Sequence, residues 1–213
     1  MDKLTEVSER VHAFFARQNE VRERAINLSR HLTRQCANAI RAVHRAEWDI
    51  TAARLQDIRQ AADEIIHLLA DYPDLYYAGY TQDALKEYVE AFLTHALVRD
   101  EPLPTPEDLG VIPSTYINGL AEAATELRRS ILDEIRRGNP QNAERLLDAM
   151  DAIYTSLITM DFPEAVTAGL RRRTDTVRSV LERTRGDLTM SISQQRLEKA
   201  VQELSGKLNH NIP

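Results

Sequence analysis

Glycine and proline, the residues that most often end helices, are confined to a few short clusters in this chain. Between those clusters apolar residues recur at intervals of three and four, and no stretch alternates β-branched and polar residues as a strand would. A chain punctuated in this way is constrained to fold as long helices joined by short turns. The first helix is expected from about Lys3 to Glu47 and the second from Ile50 to Ala70, stopped by D-Y-P-D. A third opens near Thr81, a good N-cap residue, and ends before E-P-L-P-T-P-E-D-L-G, which reads as a loop with room for one helical turn. The fourth follows Pro113, with Ser114 as its cap, and ends at R-R-G-N-P. A fifth is expected over Gln141 to Met160 and a sixth over Pro163 to Leu208, broken near Gly186, with a frayed tail over 209–213. No repeat and no long linker interrupts the series. The fold class is therefore all-α, a single domain over residues 1–213 with about six to seven helices, the first and last of them long.

At 213 residues, with 43% hydrophobic and 28% charged residues, the chain can bury a proper core and is not of disordered composition. It has no run of roughly 20 apolar residues and no apolar segment at its start, so a soluble, cytoplasmic protein is expected. Cys36 stands alone, which excludes an internal disulfide or a cysteine metal site and predicts a buried thiol. A net charge of -6 argues against bulk electrostatic adhesion to nucleic acid but leaves room for a local basic strip. With seven glycines and neither glycine-rich phosphate signature, a nucleotide-binding glycine loop is not expected.

On the third helix a wheel gathers Leu85, Val89, Phe92, Leu93 and Ala96 on one side and Asp83, Glu87, Glu90 and Thr94 on the other. Surface acids usually meet a base four residues on, but Ala91 follows Glu87 and Thr94 follows Glu90 at that distance. On the fourth helix Ile117, Leu120, Ala124, Leu127, Ile131 and Ile135 oppose Glu122, Glu126, Arg129 and Asp133. Two readings stand at this point. Either both polar faces are solvated, or the carboxylates converge across a groove and bind a hard divalent cation such as magnesium, which relieves the mutual repulsion of close acids.

The first helix carries Arg30, Arg34, Arg41 and Arg45 within roughly 60° of one another, opposite Val21, Ala25, Leu28, Leu32, Cys36, Ala39 and Val43. Arginine's planar fork suits phosphate, so the strip is either a nucleic-acid contact or a solvated face. The run L-R-R-R-T-D at 170–175 reads as surface solvation, and R-G-D at 185–187 as a chance helix break. Glu64 and His67 supply one copy of a spacing that di-iron bundles need twice, so His67 reads as a helix-surface residue.

Four segments together resemble the translin superfamily: Q-N-E-V-R-E-R-A near the start, A-L-K-E-Y-V-E-A at 84–91, L-G-V-I-P-S-T-Y-I-N-G-L-A-E-A-A-T-E-L-R-R at 109–129, and M-D-F-P-E-A between the fifth and sixth helices. The resemblance runs from about Arg22 to Leu188 in unbroken order. It is nearest to the translin-associated factor X branch in its short, single-gene archaeal form, because E-Y-V-E-A keeps an acid pair that translin itself has lost.

What the resemblance implies is a seven-helix fold, assembly into a closed homo-octamer, and magnesium-dependent endonucleolytic cleavage of single-stranded RNA inside it. Manganese is the expected substitute ion and single-stranded DNA a further ligand. By motif, Glu87 and Glu90 match the family's catalytic glutamates, and Glu122 matches its catalytic aspartate. Glu126 matches the acid four positions on, so all four are expected metal ligands. Arg22 matches a nucleic-acid-binding arginine and Arg129 has a basic counterpart. Glu122 departs from the family's shorter aspartate by one methylene. Three alternatives accompany this expectation: a purely structural helical scaffold, a non-catalytic nucleic-acid-binding shell, as in translin, and an all-helical nucleotide pyrophosphohydrolase. The last pairs E-x-x-E with E-x-x-D, a spacing that Glu122 and Glu126 do not reproduce.

Overall fold

The computed structural model describes residues 2–210, with side chains to residue 206. Among these, six long helices and three single-turn helices account for all regular structure: α1 (Asp2–His44), α2 (Trp48–Leu68), α3 (Pro73–Tyr76), α4 (Gly79–Arg99), α5 (Pro106–Leu109), α6 (Pro113–Arg136), α7 (Pro140–Ile158), α8 (Glu164–Thr167) and α9 (Leu170–His210). No helix is long and apolar enough to cross a membrane. The expected frayed tail is helical as far as His210, and 211–213 lie outside the described residues.

Local chemistry explains most boundaries. After α1, Ala46 turns left-handed at φ 56, and the Glu47 and Ala46 amides donate to the Ala42 and Val43 carbonyls, closing the last turn. The same pair of bonds closes α6, where Gly138 takes φ 74 at no steric cost. Thr105 and Asp108 form a reciprocal capping box on α5, and Asn139 caps α7. Two expected caps are corrected. Thr81 lies inside α4, its hydroxyl donating 2.8 Å back to the Leu75 carbonyl, and α6 begins at Pro113, so Ser114 is already helical. The expected break near Gly186 is also absent. The interruption falls earlier, where Ala168 and Gly169 both take positive φ, while α9 runs unbroken through Gly186.

Two compact units make up the fold, one from the start of the described chain to Ala96 with Pro102–Leu120, the other Leu97–Glu101 with Ala121 onward. In the first, α1 packs along α2 through Ala25, Leu32, Cys36 and Ala39 against Leu55, Ile58, Ala62 and Ile65, all buried at helical spacing. In the second, Leu146, Met150, Ile153 and Leu157 of α7 and Val177, Leu181 and Leu188 of α9 supply the buried stripe.

Helix α4 overturns the two-faced expectation. Tyr88, Val89 and Leu93 are fully buried, but so is Ala91 on the supposed solvent side, with Thr94 and Glu90 enclosed beside it. Its polar face is covered from Glu87 onward, while Asp83 stays exposed. The start of α6 lies tight against α4: a Cβ built on Gly119 would sit 2.6 Å from Val89 Cγ1 and 3.0 Å from the Lys86 carbonyl. Gly119→Ala should therefore lower stability by about 1–3 kcal/mol, the usual cost of overpacking. A chemical-denaturation midpoint equal to that of the wild type would contradict this close approach.

Candidate metal centre

Residues three apart on a helix are separated by about 300° and 4.5 Å, so Glu87 and Glu90 project from adjacent positions on one side of α4. Gly119 brings α6 against that helix at Lys86, and Glu122 lies three residues further along the same unbroken α6. Carboxylate oxygens of Glu87, Glu90 and Glu122 lie within 4.8 Å of one another. Glu90 is buried, with 7% of its surface exposed, and the other two are half-buried.

The sequence left this cluster without visible counter-charges, and the structure corrects that. Lys86, itself buried, places Nζ 3.4 Å from Glu87 Oε1, and Arg173 Nε donates to Glu122 Oε1 at 3.0 Å. Arg173 is also tied down by a donation from Nη1 to the Ala168 carbonyl. The run at 170–175 is thus not wholly surface solvation. Neither contact was visible in sequence, because adjacent helix positions do not normally face each other and Arg173 lies 51 residues from Glu122.

Lys86 and Arg173 offset part of the negative charge of the three carboxylates in a partly desolvated site. The donor set fits a hard divalent cation: it is all oxygen, and its span is close to the roughly 4.2 Å that separates opposite ligands of a magnesium octahedron. Glu126, the fourth expected ligand, is not in this group. It is half-buried one turn along α6 and lines a separate hollow with Thr125, Arg128, Arg129 and Asp133.

Cys36 of α1 borders the acid pair. Burial pushes its thiol pKa far up, and the charges of Glu87 and Glu90 push it further in the same direction. The thiol should resist alkylation by iodoacetamide in the folded protein and react once the protein is denatured; equal labelling rates in both states would show that it is accessible. Burial likewise raises the neighbouring Tyr88 phenol to about 12.

Arg30, Arg34 and Arg41 are exposed on α1, opposite the buried stripe, with Arg41 donating to Asn38, and Arg45 is exposed in the turn that follows the helix. Arg22 is exposed and pairs with Glu23 at 2.7 Å, and Arg129 is exposed on α6. His67 is exposed, as expected for a helix-surface residue, with its Nδ1 2.7 Å from the Asp63 carbonyl, and Glu64 is paired with Arg24.

The described residues thus define an all-helical protein with three convergent glutamates and, elsewhere, a strip of exposed arginines. More specifically, residues 20–185 match the Translin family model, and the chain belongs to that family. It is 32% identical over 188 residues to the uncharacterized protein MJ0175 of Methanocaldococcus jannaschii, covering 87% of this chain and 83% of that one. Among solved structures it is similar to AfC3PO in complex with duplex RNA (TM-score 0.79, 27% identity, 90% of this chain and 97% of that one). AfC3PO alone superposes at TM-score 0.78 with 28% identity, over 90% and 98% of the two chains. The apo form of NeC3PO shares the fold, with TM-score 0.79 at 20% identity over 86% and 96%.

Proposed function

We propose that this chain is a metal-dependent endoribonuclease of the translin-associated factor X branch, cleaving single-stranded RNA inside a closed homo-oligomer, with eight subunits the first expectation. The observation that carries this reading is the convergence of Glu87, Glu90 and Glu122. A translin-like protein that only binds nucleic acid has no need to hold three carboxylates together in a partly buried site, where their repulsion is costly. The family match running through both compact units supports treating residues 1–213 as one domain.

In this proposal Glu87, Glu90 and Glu122 would hold a magnesium ion, for which manganese can substitute, and Glu126, outside the group of three, is not required as a direct ligand. A bound divalent ion supplies Lewis-acid stabilisation of the charge that builds on the phosphodiester oxygens. A carboxylate of the cluster accepts the proton of the attacking water, which requires it to lie within hydrogen-bond reach of that water. Arg22, Arg30, Arg34, Arg41, Arg45 and Arg129 hold the phosphate backbone and neutralise it.

The complex of AfC3PO with duplex RNA supports RNA as the ligand, and it keeps one alternative in view, a shell that binds RNA without cutting it. The test is cleavage of an end-labelled single-stranded RNA with and without magnesium, with a nucleoside triphosphate as a parallel substrate. Magnesium-dependent internal cuts in RNA are expected. Tight binding without cuts would favour the binding shell, and hydrolysis of the triphosphate alone would favour the pyrophosphohydrolase.

The arginines carry their own prediction. Replacing Arg22 by Ala should weaken binding of all RNA sequences alike and flatten the salt dependence by about one unit of log–log slope, because fewer counterions are released. Single Ala variants of the α1 strip should act in the same way. If affinity and salt slope are unchanged in all five variants, the strip is a solvated face.

A further inference from the structure

The mechanism proposed above does not use Arg173, although its Nε donates to Glu122 Oε1, one of the cluster carboxylates, at 3.0 Å. The contact is partly shielded from water, with 27% and 26% of the two side chains exposed. It opens onto a hollow lined by Ala121, Glu122, Thr125, Arg172, Arg173 and Thr176. Two arginines therefore line a hollow whose single acid is one of the three cluster carboxylates. A cation at the cluster and the Arg173 guanidinium draw on the same carboxylate, and the two positive charges repel each other.

Resting on the reading of the cluster as a cation site, we propose that Arg173 is an exchangeable counter-ion: it neutralises Glu122 while the cation is away and, once the cation takes that carboxylate, binds a phosphate of the RNA strand in the adjoining hollow. Three features of the chain support the exchange. Glu122 is a glutamate with three rotatable side-chain bonds, roughly the reach needed for its carboxylate to serve either partner. The Arg173 side chain is anchored near the α8–α9 corner by its bond to the Ala168 carbonyl, so it can release Glu122 without leaving the hollow. Arg172 lines the same hollow and gives the incoming phosphate a second cation, and arginine's fork is matched to phosphate oxygens.

The exchange predicts opposite effects on the two ligands, which a structural ion pair would not produce. In Arg173→Gln, manganese affinity measured by titration calorimetry should rise by at least about tenfold, since a charge repelling the divalent ion is gone. Affinity for a labelled single-stranded RNA, measured without divalent cation and with it, should be unchanged in the first case. In the second it should fall by about three- to tenfold, with the salt slope reduced by about one. Arg171→Gln is the control, because Arg171 sits in the same helical turn but lines a different hollow, and it should leave manganese affinity as it is. If Arg173→Gln does not fold, Arg173→Lys keeps the charge without the fork; it should hold manganese affinity near the wild-type value while weakening cation-dependent RNA binding. Weaker or unchanged manganese binding in Arg173→Gln overturns the exchange, as does RNA binding that drops equally with and without the ion. Should the wild-type protein bind no manganese, the cation site itself fails and the exchange fails with it, a result distinct from a wild type that binds and an Arg173 variant that does not differ.

Discussion

Glu87→Gln and Glu90→Gln are each expected to reduce magnesium-dependent RNA cleavage by at least ~100-fold, the upper end of what losing even an outer-shell partner of a metal ligand costs. Glutamine keeps the shape of the side chain and removes only the charge, so the comparison isolates electrostatics. The two positions should differ in their effect on folding. Glu87 is half-buried, and its replacement weakens one contact of the buried Lys86 ammonium, which should lower stability modestly. Glu90 is enclosed in α4, so Glu90→Gln alters a buried polar group and should lower stability more. RNA binding should persist in both variants, and removal of negative charge should tighten it. Wild-type cleavage by either variant would exclude the cluster as the reacting centre.

The second large effect concerns assembly. Light scattering is expected to give a mass several times that of the 24.3 kDa chain, with eight copies the first expectation. A chain of net charge -6 repels RNA at a distance, yet it displays arginines along α1 and α6; enclosing these on an inner wall makes the wall locally positive while the outer surface keeps the excess acid. The structure adds an apolar reason. Leu4, Val7, Val11, Phe14 and Phe15 near the start of α1, and Met190, Leu197, Val201 and Leu204 late in α9, are exposed in a single chain. Faces of this kind call for cover, and identical subunits most often close into rings or dihedral shells. If the cleaving site faces inward, short or flexible single strands should be cut and long rigid duplexes spared. A monomer with full activity, or equal cleavage of a long duplex, would contradict enclosure.

The helices were legible because their periodicity and their breakers agree: α1, α2, α6 and α7 lie within a few residues of the boundaries read from the sequence. The miss at Gly186 has a simple cause. A glycine inside a helix costs only about 1 kcal/mol, and here the flanking Arg185 and Asp187 are tied to Asp151 and Arg128, whereas Ala168 and Gly169 adopt a left-handed corner that no propensity scale marks. The carboxylate cluster was half legible. A helical wheel places Glu87 and Glu90 on a polar face, but it cannot distinguish a face open to water from one closed over by other parts of the fold, and Cys36 shows that α1 closes this one. Neither Lys86 nor Arg173 was legible as a counter-charge, for related reasons: one sits where helix geometry argues against pairing, the other belongs to a run that reads as surface and is joined to Glu122 only by the fold. Glu126, by contrast, shares both the polar face and the motif of Glu122, yet the structure places it outside the group of three.

The central claim, that three glutamates form a divalent-cation site, is tested most directly by titrating manganese into the wild-type protein and into the variant carrying Glu87→Gln, Glu90→Gln and Glu122→Gln together. The account predicts a saturable binding event in the wild type that the triple variant loses while keeping its helical circular-dichroism spectrum. Equal manganese affinity in the two proteins would contradict it.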